Sequence, residues 1–168
     1  MGLLSMLWRD RRGQDLVELV LTLPILLIVA FDILEFGALL DVGQSLSGLS
    51  REGANIAARG VSLDSVVQVT VANGSTWNLS SRGEVIASKL TVQGGTPTVT
   101  EQRSLGGLGT SSRVGPNGGV ATAYQGGGLV DGQTYYVVEV FLPYQPFTPL
   151  RGFVGGLVPD TLYDRTLF

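Results

Sequence analysis

The sequence predicts an α+β fold, one long N-terminal helix packed on a small antiparallel sheet, and three features carry that prediction. Apolar and small residues keep a helical period from Gln14 to about Arg59. Residues 134–142 alternate so that Tyr136, Val138, Val140 and Leu142 share one wholly apolar face, as a half-buried strand requires. Residues 96–103 alternate like an exposed strand, and residues 161–168 supply a last strand. Strands that follow a helix in series, without further long helices between them, give an α+β layer arrangement.

The first half of the helix is a membrane span. Residues 16–40 read LVELVLTLPILLIVAFDILEFGALL, and from Leu19 to Phe31 only Thr22 and Pro24 interrupt the apolar run. At about 1.5 Å per residue, residues 16–36 cover roughly 30 Å, the thickness of a bilayer's hydrocarbon core. Residues 14–36 are therefore assigned to the membrane, with a kink expected at Pro24. Arg9, Arg11 and Arg12 precede the span and no comparable cluster follows it. The positive-inside rule then leaves the N-terminus in the cytoplasm and the bulk of the chain outside, a single-pass protein of the cytoplasmic membrane. Glu18 lies one turn into this segment. A carboxylate near the centre of such a helix costs about 2.5 to 3.5 kcal/mol and less near the interface, so Glu18 either snorkels to the headgroups or meets a partner.

Residues 37–60 extend the helix as an amphipathic segment. Phe36, Leu39, Val42, Leu46, Leu49, Gly53, Ile56 and Gly60 recur at steps of three and four, which defines a packing stripe. Gly37, Gly43, Gly48, Ala54, Ala57 and Ala58 fall on the other faces. Val138 and Val140 are expected beneath Leu46, Leu49 and Ile56.

The remaining chain, 61–168, is the extracytoplasmic domain. Residues 63–72 fit a helix by spacing and a strand by β-branching, and the helix is favoured. Ser81, Arg82, Gly83 and Glu84 form a capping-box pattern ahead of Val85, Ile86 and Leu90, which predicts a second short helix followed by a strand near residues 90–92. Residues 104–128 hold nine glycines in 25 positions and read as a mobile connection, with a displayed contact surface as the alternative. Pro143, Pro146 and Pro149, three apart, suit a polyproline II segment that redirects the chain.

Composition excludes several functions. The chain has no His and no Cys, so it cannot build a Ser-His-Asp or Cys-His nucleophile system, an iron–sulfur cluster or the usual zinc site. A formal charge of −3, with no basic cluster past the first dozen residues, argues against nucleic acid as a partner. The glycines match neither a phosphate loop nor a dinucleotide fingerprint. Glu84, Glu101, Asp131 and Glu139 show no spacing that suggests an acid pair. No enzyme activity, cofactor, metal or small-molecule substrate is expected.

Gly13 followed by Gln14, Asp15, Leu16, Val17 and Glu18 and then a hydrophobic helix resembles the leader-peptidase site of type IV pilins. The longer stretch RRGQDLVELVLTLPILLIVAFDILEFG, together with SREGANIAARG at 50–60, resembles the TadE-like pseudopilins of tight-adherence (type IVc) pili. The resemblance covers about the first 60 residues; later stretches such as VVEVFLPYQPFTPL share only the family's character. It implies a pilin-like fold, a cytoplasmic leader of residues 1–13, cleavage between Gly13 and Gln14 by a prepilin peptidase, and a role for Glu18 in filament assembly. It also implies a minor pilin that helps to assemble or initiate the filament, with the major pilin, a second pseudopilin, the peptidase and the pilus assembly platform as partners. The alternative is a single-pass, membrane-anchored extracytoplasmic binding module that never enters a filament.

Overall fold

The computed structural model of the protein describes residues 11–147 and 159–168. Residues 1–10, Arg9 among them, and Pro149 of the proline series lie outside these. In chain order the elements are α1 (Arg11–Ala58), α2 (Leu63–Asn73), α3 (Leu79–Arg82), β1 (Glu84–Gln93), β2 (Thr96–Gly106), β3 (Thr134–Pro143) and β4 (Thr161–Leu167). Single 3-10 turns occupy Ser75–Trp77 and Thr122–Tyr124. Helix α1 is assigned without a break through Pro24. Its contacts place residues up to Leu40 in one compact unit and residues 41–145 and 159–168 in another.

In the second unit, four antiparallel strands form a sheet in the order β2-β1-β3-β4. The β1–β2 hairpin closes on Gly94 and Gly95, whose φ angles of +59° and +73° suit a two-residue turn with both central residues in the left-handed region. A bulge between Lys89 and Leu90 shifts the β1–β2 register by one residue. One face of the sheet carries Val85, Ala87, Val138, Val140 and Leu142, and α1 from Val42 onward and α2 cover it in a single apolar core. Leu49 and Ile56 pack against that core and Val138 and Val140 are fully buried in it, as the stripe predicted. Helix α2 confirms the helical assignment of residues 63–72; the Ser62 hydroxyl caps it by accepting from the Ser65 amide at 3.4 Å.

Three expectations are corrected. The buried line of α1 runs through Val42, Leu46, Ser50, Gly53, Ala54 and Ala57, so Ala54 and Ala57 lie in the core and not on an outer face. Gly53, Ala54 and Ala57 are buried there because their small size permits the closest approach. A Cβ built on Gly53 would stand 2.7 Å from Thr70 Oγ1 and 3.1 Å from Val138 Cγ1.

The second correction concerns residues 81–90. Here the short helix α3 ends at Arg82, and Val85, Ile86 and Leu90 belong to strand β1. As a central strand, β1 is buried on both faces, so its apolar residues run almost continuously and mimic a helical stripe. Glu84 does not close a capping box; its carboxylate accepts from the Gly109 amide at 2.9 Å.

The third is the glycine-rich segment, which folds back over the other face of the sheet. Val114 and Ala121 are fully buried there with Leu90, Val99 and Val137. Thr98 bridges Val120, and the amides of Val99 and Ala121 donate to Gly119 and Pro97 carbonyls at 2.8 Å each. The glycines allow this loop to lie against the strands.

Candidate functional site

Two regions carry residues of functional interest, and each is built differently. The first is the N-terminal half of α1. Gly13 is half-buried in its first turns, and Gln14, Asp15 and Glu18 are exposed. Gln14 and Glu18 stand one helical turn apart, about 6 Å along the axis. From Leu16 to Leu34 the large apolar side chains other than the half-buried Phe31 are exposed, and Glu35 is the one buried residue of positions 13–40 among the described residues. Phe36, expected in the packing stripe, is 61% exposed, and Leu39 is half-buried. Length and composition make Gly13–Ala58 the one helix among the described residues able to cross a membrane. So many exposed leucines, valines and isoleucines on one rod need an apolar medium, either lipid or other helices.

The second region is the seam between the amphipathic half of α1 and β4. Ser47 and Ser50 lie one turn apart on the helix. Ser47 Oγ donates to Asp164 Oδ1 at 3.2 Å, Ser50 Oγ donates to Asp164 Oδ2, and Ser50 and Thr166 hydroxyls share a bond of 2.9 Å. This polar clasp ties the C-terminal strand to the helix. Sequence reasoning missed it, although serines at i and i+3 facing a strand with Asp and Thr at i and i+2 are a readable pattern once the two elements are known to be adjacent.

The four acids considered as catalytic candidates are separated and each is occupied. Glu101 pairs with Arg103 at 3.4 Å on the surface, Asp131 accepts from the Gly95 amide at 3.2 Å, and Glu84 holds Gly109. Glu139 is fully buried beneath the glycine-rich loop. Its carboxylate accepts from Ser112 Oγ, from the Arg113 amide at 2.9 Å and from the Tyr163 hydroxyl at 2.9 Å. The Arg113 guanidinium lies over the Tyr163 ring at 4.3 Å, adding a favourable charge above the same cluster. Burial, with the neighbouring Glu139 carboxylate, pushes the Tyr163 phenol well above its ordinary value. Tyr124 is raised as well, chiefly by burial. A carboxylate that accepts three hydrogen bonds and is shielded by a loop is a fastening, not an exposed acid or base. No group of three or more metal-ligating side chains occurs among the described residues.

Residues 13–55 match the family of TadE-like proteins. No curated protein and no solved structure matches the chain.

Proposed function

We propose that this chain, TadE-like through its residues 13–55, is a minor pilin that helps to assemble or initiate a tight-adherence pilus after a prepilin peptidase removes residues 1–13. The carrying observation is the coincidence, on one helix, of the Gly13–Gln14 and Glu18 pattern with an unburied apolar surface from Leu16 to Leu34. Beyond that surface the same helix is built into a folded α+β unit. A subunit of this kind waits in the membrane and later exchanges lipid for neighbouring helices. The N-terminus is cytoplasmic and the domain extracytoplasmic, and the partners are the major pilin, a second pseudopilin, the peptidase and the assembly platform.

Cleavage creates a new ammonium on Gln14 beside Glu18. Within one subunit or between axially offset neighbours, the two opposite charges meet in a low-dielectric setting, and pairing offsets the cost of burying each alone. The test is Gly13→Arg in the native host, with the mass of the membrane-bound protein as readout. Wild type is expected with Gln14 as its N-terminus and the variant at full length. A variant that still reaches the mature mass, or a wild type that keeps residues 1–13, overturns the reading in favour of a membrane-anchored module outside any filament.

A further inference from the structure

The sheet has two edges, β2 and β4, and the fold treats them differently. Along β2 the glycine-rich loop supplies backbone partners. The Val99 amide donates to the Gly119 carbonyl, the Gly118 amide to the Val99 carbonyl and the Ala121 amide to the Pro97 carbonyl, each at 2.8 Å. The bulge beside Lys89 and Leu90, and Pro97 itself, blunt that edge further. Strand β4 has no such cover. It pairs in continuous register with β3 from Thr161 to Leu167, without a bulge, a proline or a lysine. Tyr136 and Phe168 exchange both of their backbone bonds, so the even-numbered residues of β4 turn their N–H and C=O groups toward β3. Thr161, Tyr163, Arg165 and Leu167 therefore aim theirs outward, spaced about 6.8 Å apart. No hydrogen bond engages these outward amides and carbonyls among the described residues.

The side chains along the open edge define what can pair with it. Asp164 and Thr166 face α1 and are held by Ser47 and Ser50. On the opposite face, Tyr163 and Arg165 stand with Arg113, whose guanidinium lies over the Tyr163 ring at 4.3 Å. The Arg165 guanidinium lies over the Tyr124 ring at 5.0 Å, and both arginines are exposed. Glu139, opposite Arg165 in the register, is buried and taken up by Ser112, the Arg113 amide and Tyr163. Two guanidiniums thus share one buried carboxylate, and this face keeps a positive excess in a chain whose formal net charge is −3. A stacked guanidinium still offers its N–H fork to a carboxylate. On a strand added to the edge, the residue directly opposite Arg165 places its Cβ about 4.5 to 5.5 Å away on the same face. Self-pairing of β4 centred on Asp164 or on Arg165 sets like charges opposite one another, which disfavours a second copy as the occupant. We infer that the free β4 edge takes an extended segment of a different protein as a fifth, antiparallel strand, with an acidic side chain opposite Arg165. The inference rests on the sheet alone, and on neither the membrane anchor nor the filament.

The test uses the full chain in mild detergent and short fluorescein-labelled peptides of alternating threonine and valine, with glutamate or lysine at the centre, and reads binding by anisotropy. The glutamate peptide is expected to bind about fivefold to tenfold more tightly than the lysine peptide. N-methylation of the glutamate and of every second residue from it removes the N–H groups that would face β4, and should weaken binding by at least about tenfold. Methylation of the intervening amides, which face away, should leave binding unchanged. Arg165→Gln should bring the glutamate and lysine peptides to within about twofold of each other. Arg165 is exposed, so the variant keeps the fold, which circular dichroism checks. No saturable binding of the glutamate peptide up to about 1 mM, equal binding of the two peptides, or indifference to which amides are methylated would each overturn the inference. A preference for glutamate that survives Arg165→Gln would do the same. Self-association of the chain that the glutamate peptide competes away would give the edge to a second copy and overturn the choice of partner.

Discussion

Gly53 and Gly48 lie on the same helix five residues apart, and a single methyl group should act in opposite directions at the two. Replacing Gly by Ala in a helix interior gains about 0.5 to 1 kcal/mol from backbone entropy at either position. At Gly48 the new Cβ meets nothing within 4 Å, so that gain stands. At Gly53 it would be 2.7 Å from Thr70 Oγ1, with Val138 Cγ1 and Cγ2 at 3.1 and 3.4 Å. Thr70 cannot turn aside freely, because its hydroxyl donates to the Val66 carbonyl at 2.8 Å within α2. Val138 is fully buried in the central sheet and has no space to yield. Overpacking of this kind costs about 1 to 3 kcal/mol, so Gly53→Ala should end near neutral to about 2.5 kcal/mol destabilised while Gly48→Ala is stabilised. Urea unfolding of the two full-length variants in mild detergent, followed by circular dichroism, measures the difference. A second substitution, Thr70→Ala, removes the nearest clashing atom and should recover part of the loss only in the Gly53→Ala background. Equal shifts for Gly48→Ala and Gly53→Ala would refute the close helix-on-sheet contact on which this reasoning depends.

Glu18→Gln should keep the membrane level of the protein and its processing but lower pilus output, measured by quantifying both in the same cells; unchanged piliation would leave Glu18 as a snorkelling side chain. The Tyr163 phenol is raised in the folded state above its ordinary 10.0, so the neutral form that donates to Glu139 stabilises the fold below pH 10, and that contribution is lost as the pH rises through the folded value. Tyr163→Phe should therefore flatten the fall in stability seen above pH 10 in thermal melts, and an identical alkaline profile in the variant would count against the buried hydrogen bond.

The sequence by itself determined the features that depend on local chemistry. An apolar run long enough to cross a membrane is readable without a fold because length and composition alone define it. The helix at 63–72 and the strands at 96–103 and 161–168 were legible for a related reason, since none is fully covered on both faces and the period survives in the sequence, whereas β3 is buried on both faces from Val137 to Leu142 and was legible because its run of β-branched and aromatic residues favours a strand. Strand β1 was not, because the helices bury one of its faces and the glycine-rich loop buries the other, and a strand covered twice loses its alternation. The rotation of α1 that puts Ala54 and Ala57 in the core was set by the sheet it meets, since small residues gain value only where a partner comes close. Glu139 and its partners Ser112, Arg113 and Tyr163 span more than fifty positions, from 112 to 163, and only the folding back of the glycine-rich loop makes them one cluster. A cavity at Val42, Trp77, Arg82 and Tyr144 has the same origin, because its walls come from three stretches of chain, at 42, 76–82 and 142–145, that nothing in the local sequence joins. Tertiary structure decided these features because contacts between distant segments are selected by shape and charge after the elements have formed, and no period along the chain records them.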